Sequence, residues 1–146
     1  MNIIRLVFIT LFLISCTLFS TTPFTDKSIE TISLQPQPAQ EIAQDMVFFA
    51  KDLIAPGQQS LLLNSTHGIF GAQFEQYFRL AGYAVYVDKK TAPDNAALVI
   101  YLVDNLSSNE IRAGMRIDSY QFERLYRLEN NHAVPITGFT LLNIKE

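Results

Sequence analysis

The chain has 146 residues, 49% of them hydrophobic and 17% charged, with a formal net charge of −3. An acidic balance with no basic patch excludes the electrostatic footprint of a nucleic-acid binder, so no direct nucleic-acid partner is expected. A single cysteine excludes an internal disulfide, and the roughly 110 residues beyond the N-terminal region suffice for one self-supporting core.

Residues 1–16, MNIIRLVFITLFLISC, carry one positive charge at Arg5, an apolar stretch over 6–14, a small residue at Ser15 and then Cys16. That is the layout of an exported chain. Leu13-Ile14-Ser15-Cys16 resembles the lipobox of bacterial lipoproteins, where a dedicated peptidase cuts before a cysteine whose thiol has been diacylated. On this reading residues 1–15 are a lipoprotein signal peptide and Cys16 is the lipidated membrane anchor. Removing them takes away only Arg5 and moves the formal charge from −3 to −4. A permanent membrane helix competes with this reading, although the run is short and polar-interrupted against the roughly 20 residues of a span. So does non-lipidated secretion, since Ser20-Thr21-Thr22 also offers small residues for cleavage.

Residues 16–36 read as the lipidated N-terminus and a flexible tether, rich in Ser and Thr, with prolines at 23 and 36 and no sustained period. Phe24, Ile29, Ile32 and Leu34 recur within it and make it a candidate partner-binding segment, because exposed sheet edges and grooves accept extended chains.

The single folded domain is assigned to residues 37–146. The spacing of Ile42, Met46, Phe49 and Leu53 predicts a helix over 39–54, with Gln40, Glu41, Gln44 and Asp45 on its wet side and Pro56-Gly57 stopping it. A strand follows over 59–65. Phe70, Phe74, Tyr77, Phe78 and Ala81 form the aromatic face of a second helix between Gly68 and Gly82. Residues 83–87 read as a strand, and the almost wholly apolar 97–103 as a central one. Over 110–118, Ile111, Ala113, Met115 and Ile117 alternate with Arg112, Gly114, Arg116 and Asp118, the cleanest period of two in the chain. A strand over 120–129 has Arg124 interrupting the face of Tyr120, Phe122, Tyr126 and Leu128; Asn130-Asn131 turns the chain, and 134–144 closes the domain. The expected class is α+β, two helices packed on a mixed, largely antiparallel sheet, without an α/β crossover crevice.

Chemistry is not signalled. His67 and His132 lie in separate loops without cysteine or carboxylate at ligand spacing, so no metal is expected. Ser65 and His67 lack a nucleophile elbow and a third member, and Gly68 and Gly71 do not form a phosphate loop. Glu110, Asp118, Glu123 and Glu129 are expected to pair across strands with Arg112, Arg116, Arg124 and Arg127. The triplets beginning at Asn64 and Asn105 match the glycosylation sequon only formally. No catalytic residue and no cofactor are assigned.

Several segments in order resemble the TrbH family of conjugal-transfer lipoproteins, components of type IV secretion systems: Pro56-Gly57, Leu61 and Leu63, residues 74–85, residues 98–104, Arg112, Gly114, and Arg124 before Tyr126. Residues 79–85 are the most distinctive part. The resemblance implies a non-enzymatic outer-membrane lipoprotein, facing the periplasm, that serves as a structural subunit of the channel. It further implies heteromeric contact with the channel's core subunits and a domain similar to small secretin N-terminal domains. Thr17 after Cys16 agrees with outer-membrane sorting in enteric-type bacteria. The alternative is a periplasmic lipoprotein module binding a small ligand or peptidoglycan, using Tyr86, Tyr101 or Tyr120 as contact residues.

Overall fold

A computed structural model describes residues 24–65 and 68–144. The elements in order are β1 (Ile29–Glu30), α1 (Pro36–Leu53), β2 (Leu61–Leu63), α2 (Ile69–Leu80), β3 (Val85–Tyr86), β4 (Ala97–Asn105), β5 (Glu110–Ile117), β6 (Tyr120–Glu129), β7 (His132–Pro135) and β8 (Thr140–Asn143). Both helices cover one face of a single mixed, mostly antiparallel sheet, as the hydrophobic periodicity demands.

β4 is the hub of that sheet. One of its sides is antiparallel to β5 over seven residue pairs, from Val99↔Ile117 to Asn105↔Ile111. Its other side is shared by two short parallel strands, β2 along residues 97–99 and β1 along 102–103. β3 then pairs parallel with β2. The unit β2–α2–β3 is therefore a single parallel crossover at one side of an α+β sheet that is otherwise mostly antiparallel. The edge beyond β6 is split in the same way, with β7 along residues 126–129 and β8 along 120–123.

The core lies between the helices and the sheet. Ile42, Met46 and Ala50 of α1 and Phe70, Phe74 and Phe78 of α2 meet Val99, Tyr101, Val103, Ile111, Met115, Phe122 and Tyr126 of the strands. Phe74 packs against Tyr101 with ring centroids 4.9 Å apart. Phe49 stacks on Phe139 at 4.0 Å and tilts against Phe122 at 5.1 Å. Full burial of such side chains is worth about 1.5–3 kcal/mol each, so this layer dominates stability.

Local chemistry sets the element ends. α1 begins three residues earlier than the expected 39, because Pro36 and Pro38 occupy its first turn, where backbone N–H groups have no helical acceptor and proline loses nothing. α2 ends in a Schellman motif: Tyr83 N–H donates to Phe78 O, Gly82 N–H donates to Arg79 O, and Gly82 takes a φ of 95°. The Phe78 and Tyr83 rings meet edge-on at 5.4 Å and seal that turn. This use of Tyr83 shortens the expected strand over 83–87 to two residues. Asn130 and Asn131 both adopt positive φ, 50° and 66°, in the two-residue hairpin joining β6 to β7.

Asp45 is the main departure in side-chain placement. Expected on the wet side of α1, it reaches the sheet, where its Oδ atoms accept from Arg124 Nη1 at 2.9 and 3.0 Å and from the Tyr126 hydroxyl at 2.6 Å. Arg124 interrupts the apolar face of β6 for this reason: it stands under α1, donates to Thr137 O at 2.8 Å, and lies 4.7 Å from the centre of the Phe139 ring. Burial, then the hydrogen bond to Asp45, pushes the Tyr126 phenol far above its ordinary range.

Candidate functional site: the ordered N-terminal strap

Residues 24–35, assigned from composition to a flexible tether, lie on the domain. This corrects the expected boundary at residue 36, and the reason is polar rather than apolar. Ser28 is buried at the point on β4 where β2 has ended and β1 has not begun. Its hydroxyl accepts from Tyr101 N–H at 3.1 Å and donates to Asn64 O, so one side chain bridges the break in the sheet. Asn64 Nδ2 in turn donates to Asp26 O at 3.0 Å, and Thr31 N–H donates to Val103 O at 3.1 Å.

Glu30 fastens the strap to α2. The helix has no side-chain cap from its own N-cap residue, Gly68. Instead Glu30 Oε1 accepts from Ile69 N–H at 3.0 Å, placing a carboxylate at the positive end of the helix dipole. A Cβ at position 68 would overlap that carboxylate, so the close approach requires glycine. Gly114 plays the same part for Phe24: a Cβ there would stand 2.8 Å from the Phe24 ring, which covers β5 on the helix-free face of the sheet.

The four residues assigned to partner binding are thus accounted for within the chain. Phe24 lies on Gly114, Ile29 forms β1, and Ile32 and Leu34 pack at the border of the core. Cys16 and His67 lie outside the described residues. Ser65 is exposed beyond the end of β2. His132 Nδ1 is 2.7 Å from Glu41 Oε1 of α1, and Glu41 Oε2 accepts from Ala133 N–H at 2.7 Å, which clasps the β6–β7 hairpin to the helix. Burial raises the Glu41 pKa, but the hydrogen bonds from Gln37, His132 and Ala133 outweigh it and leave the carboxyl below its ordinary range.

The arginines are placed by strand register. Arg127 pairs with Glu110 at 3.4 Å, as expected of cross-strand neighbours, and with Glu129 at 3.8 Å. Arg112 pairs instead with Asp104 on β4; the hydrogen bond to that carboxylate, against the effect of burial, raises its pKa. Arg116 reaches Asp26 of the strap at 3.6 Å. Arg124 is taken by Asp45. Sequence reading had no means of finding the last two pairs, because each joins a strand to a segment distant in the chain.

Two adjoining hollows of about 600 and 680 Å³ flank Asp26 and share Asp94, Ala96 and Leu98. The first is floored by Leu62 and Leu98 and walled by residues 87–96; the second extends toward Arg116 and Ile144. Among the tyrosines assigned to ligand contact, Tyr101 is buried in the core, and Tyr86 and Tyr120 are half-buried. Among the described residues, no group of three or more His, Cys, Asp or Glu side chains is placed to hold a metal, and no helix is long and apolar enough to cross a membrane.

Charged and hydroxyl groups here mostly join one element to another, and the class is a small α+β domain whose sheet is strapped by residues 24–35. The chain matches the family described as conjugal transfer protein TrbH over residues 21–144, and it belongs to that family. The match begins ahead of the strap and runs to the end of the sheet, so strap and domain fall in one family unit. No curated protein and no solved structure matches the chain.

Proposed function

We propose that this protein is a non-enzymatic, outer-membrane lipoprotein that serves as a structural subunit of a conjugal-transfer channel of the type IV secretion class. The carrying observation is the family match across residues 21–144. The lipobox-like residues 13–16 supply the anchor at Cys16, the domain faces the periplasm, and its partners are the core subunits of the channel. The likeness to small secretin N-terminal domains belongs to this proposal.

The strap gives the proposal a dimension. A tether running to residue 36 would let the domain stray about 70 Å from Cys16, at the extended rise of roughly 3.5 Å per residue. With the fold engaged from Phe24 onward, eight residue steps remain, an extended reach of about 28 Å. The domain is held close to the membrane rather than suspended far into the periplasm, and its channel contacts lie in that layer.

Two measurements test this reading. Cys16→Ser should abolish incorporation of labelled fatty acid and move the protein out of the membrane fraction; unchanged labelling and fractionation would refute the anchor. The detergent-solubilised protein should co-purify with conjugal-transfer channel subunits. Recovery without any of them, from cells expressing the whole apparatus, would refute the subunit role.

A further inference from the structure

The strap fixes where the chain leaves the domain. Phe24 lies over Gly114, near the middle of β5, on the face of the sheet that carries no helix. Asp26 meets Arg116 on the same face, and Ser28 then enters the gap beside β4. Followed toward Cys16, the strap therefore crosses the helix-free face in the direction from β4 to β5, with β6 and the β7–β8 edge ahead of it.

The reach that remains decides which way the domain can stand. To bring the helices against the bilayer, residues 17–23 would have to pass over β6 and β7 and then down both layers. Two strand spacings are about 10 Å, and a sheet with a helix layer is about 20 Å thick. That path, about 30 Å, exceeds the fully extended limit of about 28 Å between Cys16 and Phe24, so the helical side is kept off the membrane.

Side chains distinguish the free face further. Opposed residues of antiparallel strands share a face, so Val134 stands with Arg127, and Leu142 with Gln121, on the helix-free side. Ile144 continues the alternation beside Arg116. Val134, Leu142 and Ile144 keep 38, 53 and 41% of their surface accessible, against Leu141 alone on the helical side of this stretch. No charged residue occurs from Ala133 to Ile144. The three arginines of the face each have a carboxylate partner: Arg112 with Asp104, Arg116 with Asp26, and Arg127 with Glu110. An aliphatic border beside ion-paired arginines suits the headgroup layer of a bilayer, which accepts apolar side chains and leaves polar ones hydrated.

We propose that the helix-free face of the sheet lies against the lipid surface that holds Cys16, with Val134, Leu142 and Ile144 in its headgroup layer and both helices turned away from it. This orientation rests on the lipid anchor proposed above. The occupant is lipid rather than a folded partner because the chain leaves over this face. A span of at most about 28 Å is shorter than the roughly 30 Å diameter of a small domain, so no such domain fits between the face and the bilayer.

The test uses the lipidated full chain in phosphatidylcholine vesicles that contain a lipid with a nitroxide on its headgroup. On the anchor reading the Cys16 thiol is blocked, so a fluorophore attaches only at an introduced cysteine. Leu142→Cys reports on the free face, and Gln76→Cys reports on the outer side of α2, opposite the buried Phe74 and Phe78. Quenching should be about tenfold stronger at position 142 than at position 76, which the thickness of two layers holds away from the nitroxide. Val134→Cys should behave as Leu142→Cys does. Equal or reversed quenching at 142 and 76, in vesicles that carry the protein with them on flotation, would overturn the orientation and leave the anchor standing. A chain that fails to float with the vesicles would overturn the anchor and the orientation together.

Discussion

The strap edge and the β8 edge are both made of short strands laid end to end, yet one is closed by side chains and the other is open. β1 contributes only two residues, but Ser28 bridges the break beside it, Glu30 caps α2, and Phe24 and Asp26 reach across to β5. β8 contributes four residues, all of them exposed, its two leucines included. Strand length does not decide which edge is part of the core of the domain; the anchoring groups do. A segment rich in Ser and Thr is integrated because the Ser28 hydroxyl supplies hydrogen bonds that the short strands leave unmade, whereas an apolar segment stays exposed because nothing among the described residues covers it.

Substitutions can break this contrast, beginning with a reference common to both regions. Asp45→Ala removes the carboxylate that holds Arg124 and the Tyr126 hydroxyl beneath α1, and should cost about 3 kcal/mol in urea unfolding. Ser28→Ala removes the acceptor of the buried Tyr101 N–H and should cost about 2 kcal/mol, large for a single exposed-looking hydroxyl in the sequence. Glu30→Ala takes the cap from α2 and should cost about 1 kcal/mol, with Glu30→Gln recovering part of it. Leu142→Ser, at the open edge, should change stability by less than about 0.5 kcal/mol. A loss at Leu142→Ser matching that at Ser28→Ala would erase the distinction between the two edges.

The smallest effect concerns the clasp between α1 and the β6–β7 hairpin. The Glu41 carboxyl is held below its ordinary pKa of 4.5, so the folded state favours the charged form. Its contribution is fully present above that ordinary value and is lost as pH falls through the lower folded-state value. Thermal melts should therefore fall less steeply below about pH 4.5 in Glu41→Gln than in the unsubstituted protein, and parallel curves would remove this group from the acid response.

Much of the fold was legible because burial leaves a period. The stripe Ile42, Met46, Phe49 and Leu53, the aromatic face of α2, the apolar run of β4 and the alternation along β5 each fix an element, and Asn130-Asn131 fixes a turn. The strap was not legible, because a two-residue strand has no period and its fastening residues, Ser28 and Glu30, are of the types that fill linkers. Asp45 was misplaced for a related reason: a carboxylate next to the apolar stripe is solvated unless a partner such as Arg124 waits under the helix, and only the fold brings residues 45 and 124 together. Arg124 itself was the available signal, a charge on an otherwise apolar strand face.

The claim on which the short reach from Cys16 depends is that residues 24–35 are part of the domain. Hydrogen exchange of the full-length protein tests it at three amides: Thr31, bonded to Val103 O; Ile69, bonded to Glu30; and Tyr101, bonded to Ser28. The account predicts that all three exchange as slowly as the amides joining β4 to β5, and that Ser28→Ala accelerates Thr31 and Tyr101 together. Exchange of Thr31 at the rate of an open chain, with the β4–β5 amides still protected, would show that the strap is a tether after all.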